Sequence, residues 1–133
     1  MFRALLLIWS LAVTLPVMSM EYETLSIDQP AIHYSELAFP NSDDIQPNRS
    51  DFSINNYVLM SSESGERWAV VTVTNTSSAK RTINQTQLVA ILANGERIFA
   101  EDFHESVGPN KTTSLTINFG WNKFPILSIY SRH

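Results

Sequence analysis

No cysteine occurs anywhere in the chain, which excludes disulfides, thiolate metal sites, cysteine catalysis and lipid attachment at a lipoprotein cysteine. Glycine is nearly as scarce, with four residues in 133, too few for a Gly-rich phosphate loop. Charge of positive sign is short as well: nine Lys plus Arg stand against 13 Asp plus Glu, a formal net charge of −4. A mildly acidic chain without a basic run is a poor nucleic-acid binder and is repelled by anionic lipid. Sustained 3.6-residue periodicity is missing after residue 20, so long amphipathic helices are not expected. What remains is 44% hydrophobic and 17% charged, the composition of a globular domain.

Met1-Phe2-Arg3 precedes an uncharged stretch from Ala4 to Met18 that contains Pro16. A short basic start followed by an apolar run below the roughly 18 to 20 residues of a transmembrane helix predicts an exported leader. Val17 and Ser19 fit the positions three and one before a cut, so the leader is expected to span residues 1–19 and to be cleaved between Ser19 and Met20. Removing Arg3 makes the remainder one charge more negative, and about 114 residues are left to build one core. The expected compartment is the bacterial periplasm or the outside of the cell, with no stable membrane insertion after cleavage. Four N-x-S/T triplets, at Asn48, Asn75, Asn84 and Asn110, are close to what a chain rich in these residues carries by chance.

From Arg67 onward the chain alternates in steps of two. Ala69, Val71 and Val73 oppose Trp68, Val70, Thr72 and Thr74, a strand with one buried face. Leu88 to Ala93 is apolar on both faces and reads as a central strand. Asn94-Gly95 follows, the strongest short hairpin signal, expected to form a type I′ turn leading to a partner over residues 96 to 100. Gly108-Pro109 precedes a strand over 113 to 119, where Leu115, Ile117 and Phe119 alternate with Thr116 and Asn118. A last strand covers 126 to 131. Upstream, residues 52 to 60 place Phe52, Ile54, Val58 and Met60 on one face against Ser53, Asn55 and Tyr57. Weaker strands are expected over 23 to 27 and 32 to 39. The domain division is thus a leader over 1–19, an N-terminal arm over 20–51 with weak strands and a polar loop, and a main body over 52–133, a single domain that takes in part of the arm. About seven or eight short strands with turn signals between them predict an all-β, antiparallel, immunoglobulin-like sandwich.

The stretch "VTVTNTS", then an apolar strand with an Asn-Gly hairpin, then Gly108-Pro109 before a Thr/Ser-rich strand, resembles the small immunoglobulin-like or fibronectin-like domains of exported bacterial proteins, including the FxLYD domains. The resemblance covers about residues 67 to 119. It implies a binding or structural role and brings no catalytic residue.

Reactive groupings are few. No G-x-S-x-G elbow is present, and neither His33 nor His104 sits in a companion motif for serine hydrolysis. The segment "AEDFHESV" groups Asp102 and His104 on one face of an extended chain, which makes them the candidates for a metal site needing ligands from elsewhere. A solvated acidic turn is the preferred reading. Asp43, Asp44 and Asp51 lie in a polar loop over 40 to 51 without the calcium-loop spacing. Met20, Met60, His33 and His133 are too scattered for a copper site. No cofactor is expected.

Trp68 and Trp121 are the aromatic candidates, either capping the core or standing outward to anchor a partner. The expectation is a non-catalytic, exported module that binds a protein partner of the cell envelope through Asp43, Asp44, Asp51, Trp68 or Trp121. The rivals are a carbohydrate-binding module using the exposed tryptophans and a metal-binding protein centred on His104.

Overall fold

The computed structural model describes residues 23–28 and 45–133. Among them lie nine strands: β1 (Ser26–Ile27), β2 (Phe52–Ser61), β3 (Glu66–Asn75), β4 (Arg81–Asn84), β5 (Val89–Leu92), β6 (Arg97–Phe99), β7 (His104–Val107), β8 (Thr112–Trp121) and β9 (Ile126–Tyr130). One three-residue 3-10 turn, Gln85–Gln87, joins β4 to β5. The described chain is all-β. Strands β1-β2-β3-β8 form one sheet, β6-β5-β9 a second and β4-β7 a two-stranded ribbon, every pairing antiparallel. The leader, the strand expected over 32 to 39, Asp43 and Asp44 lie outside the described residues.

Strands β3 and β8 follow their sequence pattern. Ala69, Val71 and Val73 point into the core beside Leu115, Ile117 and Phe119. From the second sheet Ala90, Leu92, Ile126 and Ile129 join the same cluster, and the ribbon contributes Ile83 and Val107. Strand β5 is buried along its whole length, as its unbroken apolar run requires.

Strand β2 departs from simple alternation. Ile54 pairs with Val73 and Asn56 with Thr72, so Asn55 is an extra residue opposite none. This bulge reverses the faces downstream. Leu59 is buried and Tyr57 packs on the core, whereas Val58 is exposed. The face expected from Phe52, Ile54, Val58 and Met60 is therefore split: the first two look inward, the last two outward.

The Asn94-Gly95 hairpin is present, but its turn is not type I′. Only Gly95 has positive φ, at 87°, and Asn94 does not. Gly95 N–H donates to Leu92 O at 2.8 Å, and Leu92 N–H to Glu96 O at 2.8 Å. The loop is thus three residues, 93 to 95, closed by a left-handed glycine. Ala93 N–H also donates to Pro125 O at 2.9 Å, which ties the turn to the approach to β9.

Asn75 ends β3, and it is fully buried. Its Nδ2 donates to Ala79 O at 2.9 Å, Val107 O at 3.0 Å and Gly108 O at 3.1 Å, while its Oδ1 accepts from Ser77 N–H at 2.9 Å. One amide thereby fixes the turn after β3 to the end of β7. In the folded state this asparagine is inaccessible to a glycan.

The second half of the polar loop is packed. Pro47 is fully buried, Asn48 N–H donates to Thr86 O at 2.8 Å, and Ser50 N–H donates to Arg132 O at 2.9 Å. Arg49 and Arg132 form a parallel bridge. Above it, on the outer face of the second sheet, Arg97 Nη1 donates to the Tyr130 hydroxyl at 2.6 Å.

Burial raises the Tyr130 pKa above the ordinary phenol value, against the opposing pull of the Arg97 charge. A raised folded-state pKa means that this contribution to stability is complete below the ordinary tyrosine range and is lost as pH rises through the raised value. An ultraviolet titration should show a tyrosine phase above the ordinary phenol value, and Tyr130→Phe should remove that phase.

Candidate functional site

Two departures from alternation shape one surface. In β8, Leu115, Ile117 and Phe119 point inward, and the next residue of that series is Trp121. Glu66 pairs with Trp121 and Trp68 with Asn118, however, so β8 holds one residue too many. Gly120 absorbs it at φ 80°, a conformation that glycine adopts without penalty. Its N–H donates to Asn118 Oδ1 at 2.8 Å. The bulge turns Trp121 out of the core, where it is 66% exposed.

The indole lies over the turn joining β2 to β3. Its Nε1–H donates to Ser64 O, and a Cβ at Gly65, where φ is 101°, would stand 3.0 Å from Trp121 Nε1. Gly65 is thus needed twice, for the turn and for the close approach. Asn122 N–H donates to Gly65 O at 3.0 Å, and Arg67 spans the same corner, donating to Ser61 Oγ at 2.7 Å, Asn122 O at 3.1 Å and Lys123 O at 3.2 Å. The corner is fixed by backbone and side-chain bonds together.

Residues 23–28 join it. Ser64 Oγ–H donates to Glu23 Oε2 at 2.7 Å and Ser61 Oγ–H to Asp28 Oδ2 at 3.0 Å. The hydroxyls of Ser64 and Ser62 hold the Glu23 pKa below the ordinary carboxylate value. Ile27 pairs with Met60, so both lie on the outer side of the sheet.

Cross-strand partners share a face, and the outer face of the four-stranded sheet can be read from its register. Met60 pairs with Trp68 and Val58 with Val70, while Asn56 and Thr72 carry the row onward to Ser114. Near the corner the face is apolar. Beyond it the face is a hydroxyl array, in which Thr72 and Ser114 share a bond at 2.8 Å, Thr74 and Thr112 one at 2.7 Å, and Thr74 donates to Asn55 Oδ1 at 2.9 Å. Trp68 is half-buried on this face and donates from Nε1 to Glu66 Oε2 at 3.0 Å.

The two tryptophans therefore belong to one side of one sheet. Asp51 does not join them. It is exposed and pairs with Arg81 at 3.0 Å, while its backbone carbonyl accepts from Thr76 N–H and Oγ1–H, both at 2.8 Å. His104 is exposed on β7 opposite Asn84, and Asp102 is exposed in the bend before it. Among the described residues no three His, Asp or Glu side chains come together to hold a metal ion.

The alternation of β3 placed Val70 on the face of Trp68, whereas Ile27, Val58 and Met60 were missed as companions of the tryptophans. A glycine inside an alternating strand, as in "NFGW", is the signal that could have marked the outward turn of Trp121. No protein-family model matches the chain, and neither a curated protein nor a solved structure matches it.

Proposed function

We propose that this chain is an exported, non-catalytic β-sandwich of the immunoglobulin-like kind that works by binding a protein partner in the bacterial envelope. One observation carries the reading: the outer face of the β1-β2-β3-β8 sheet presents Val58, Val70, Met60 and Trp68 beside a hydroxyl array, without a charged side chain from β3 between Trp68 and Thr74. An apolar centre with a polar margin is the usual anatomy of a protein interface. Trp68, held by Glu66, supplies a preformed aromatic anchor. No covalent step is part of this reading.

The test is capture from envelope extract with the full chain as bait, alongside Val58→Lys. A protein retained in stoichiometric amount by the wild type and lost with Val58→Lys supports the outer face. Equal retention by both overturns it, and loss on changing Asp43 and Asp44 instead moves recognition to the loop over 40 to 51. A tryptophan response to a glycan panel without any retained protein replaces this reading by carbohydrate binding.

A further inference from the structure

Strand β8 is an edge of the four-stranded sheet, with β3 on one side. Asn75 N–H donates to Lys111 O at 2.9 Å, and antiparallel ladder bonds alternate along a strand. Thr113, Leu115 and Ile117, which face Val73, Val71 and Ala69, therefore bond toward β3, and the N–H and C=O groups of Thr112, Ser114, Thr116 and Asn118 point the other way. On that side Glu101 N–H donates to Asn118 O at 2.8 Å, and the chain then leaves the sheet as β7 to pair with β4. Among the described residues none pairs with the outward groups of Thr112, Ser114 and Thr116, and all three residues are exposed. The free edge from Thr112 to Thr116 is about 17 Å long.

Free edges are ordinarily guarded by a lysine, a proline or a bulge. The stretch Thr112 to Thr116 contains no charge and no proline, and the bulge at Gly120 lies beyond it. Its two ends differ. At one, Lys111 N–H donates to Gly108 O at 3.2 Å and Asn110, at φ 56°, carries the chain off the line of the strand. At the other stand Glu101 and Asp102, both exposed.

The geometry points to a second copy of this chain as the occupant of the edge: β8 pairs antiparallel with β8 of the second copy about a two-fold axis at Ser114, joining the two four-stranded sheets into one. Ser114 then faces its own counterpart, and Thr112 faces Thr116 in both directions. Every facing pair unites residues whose main-chain groups are free, giving about six bonds, and hydroxyl side chains facing one another are favourable cross-strand neighbours. The same axis sets Lys111 of each copy end to end with Glu101 of the other, whereas a parallel pairing would set lysine beside lysine. Exposed ion pairs add little energy, so this one selects direction more than strength. A two-fold contact of this kind closes on itself and consumes both free edges, so it stops at two copies. It uses neither Val58 nor Trp68, goes beyond partner capture and does not rest on it.

The experiment uses the full chain, whose lack of cysteine allows single-cysteine probes. Ser114→Cys should give a disulfide-linked dimer on mild oxidation, because facing Cα atoms in such a pair are about 5.5 Å apart, within the reach of a disulfide. Thr112→Cys and Thr116→Cys each lie about 14 Å from their own counterparts, so each should stay unlinked alone and the two should link when mixed. Thr116→Pro removes an outward N–H at an edge position, where proline is tolerated. It should keep the far-ultraviolet spectrum of the wild type and lose the dimer that the wild type forms in sedimentation. Equal cross-linking of all three cysteine variants, or a dimer retained by folded Thr116→Pro, overturns the pairing. A wild type that stays monomeric at every concentration, with Ser114→Cys unlinked, overturns it too and leaves the capture tested by Val58→Lys untouched. Should Thr116→Pro fail to fold, the cysteine pattern alone decides.

Discussion

Replacing Asn75 by Asp is expected to cost the domain about 3 to 5 kcal/mol, a large share of a stability on the order of 5 to 15 kcal/mol. The wild-type amide spends both hydrogens on the carbonyls of Ala79, Val107 and Gly108 and accepts from Ser77 N–H on its oxygen. A carboxylate has the same shape and no hydrogens. It would set a fully buried negative charge against three carbonyl oxygens, with the Ser77 N–H as its sole donor. Asn75→Leu removes the charge from the comparison but leaves the carbonyls and the N–H unpaired, at about 1 to 3 kcal/mol for each group that water cannot reach. The expected order of stability is wild type, then Asn75→Leu, then Asn75→Asp. Burial must raise the pKa of the introduced carboxyl, so the deficit of Asn75→Asp should be smallest in acid and grow as pH rises through the unfolded carboxyl range. Urea unfolding of the three proteins at acidic and neutral pH measures both the order and the trend. A deficit that does not change with pH would mean that the loop opens and hydrates the carboxylate.

Asn75 also marks the limit of what was legible in the sequence. It stands in "TNTSS", which local chemistry reads as a turn, and the turn is there. Its bonds to Val107 and Gly108 cross more than 30 positions, and no local pattern encodes them. Strands β3, β5, β8 and β9 were legible because burial on one or both faces leaves a periodic or unbroken apolar mark. Strands β4 and β7 left no such mark. Each is four residues long with a single buried side chain, Ile83 in one and Val107 in the other, so "RTIN" and "HESV" read as polar connections. The two bulges acted differently. The one at Asn55 hid the true inward set of β2, because an extra residue shifts the phase of an alternation without changing its composition. The one at Gly120 freed Trp121 from the core, and the side of the sheet that it would occupy depended on a register that only pairing with Glu66 defines. The tryptophans were thus legible as candidates, and their common surface was not.

Phe52→Ala and Trp121→Ala should separate the residues that hold the fold from those turned away from it. Phe52 is 1% exposed at the start of β2, inside the cluster shared by all three sheets, and its carbonyl accepts from Ser131 Oγ–H at 3.1 Å. Truncation leaves a cavity between strands that pairing prevents from collapsing, and the expected loss is about 3 to 5 kcal/mol. The backbone bond to Ser131 survives the change, so the loss reports packing alone. Trp121 is the larger side chain, yet most of its ring is already in water. Its removal forfeits the bond to Ser64 and the contact with Gly65, a loss of about 1 kcal/mol or less. Urea midpoints with unchanged slope should therefore fall far for Phe52→Ala and little for Trp121→Ala. The opposite order would mean that the indole anchors the hairpin corner to the fold. The expected order means that the bulge at Gly120 carries a large aromatic side chain to the surface at little structural cost, leaving its apolar ring free energy to be realised only against a second body.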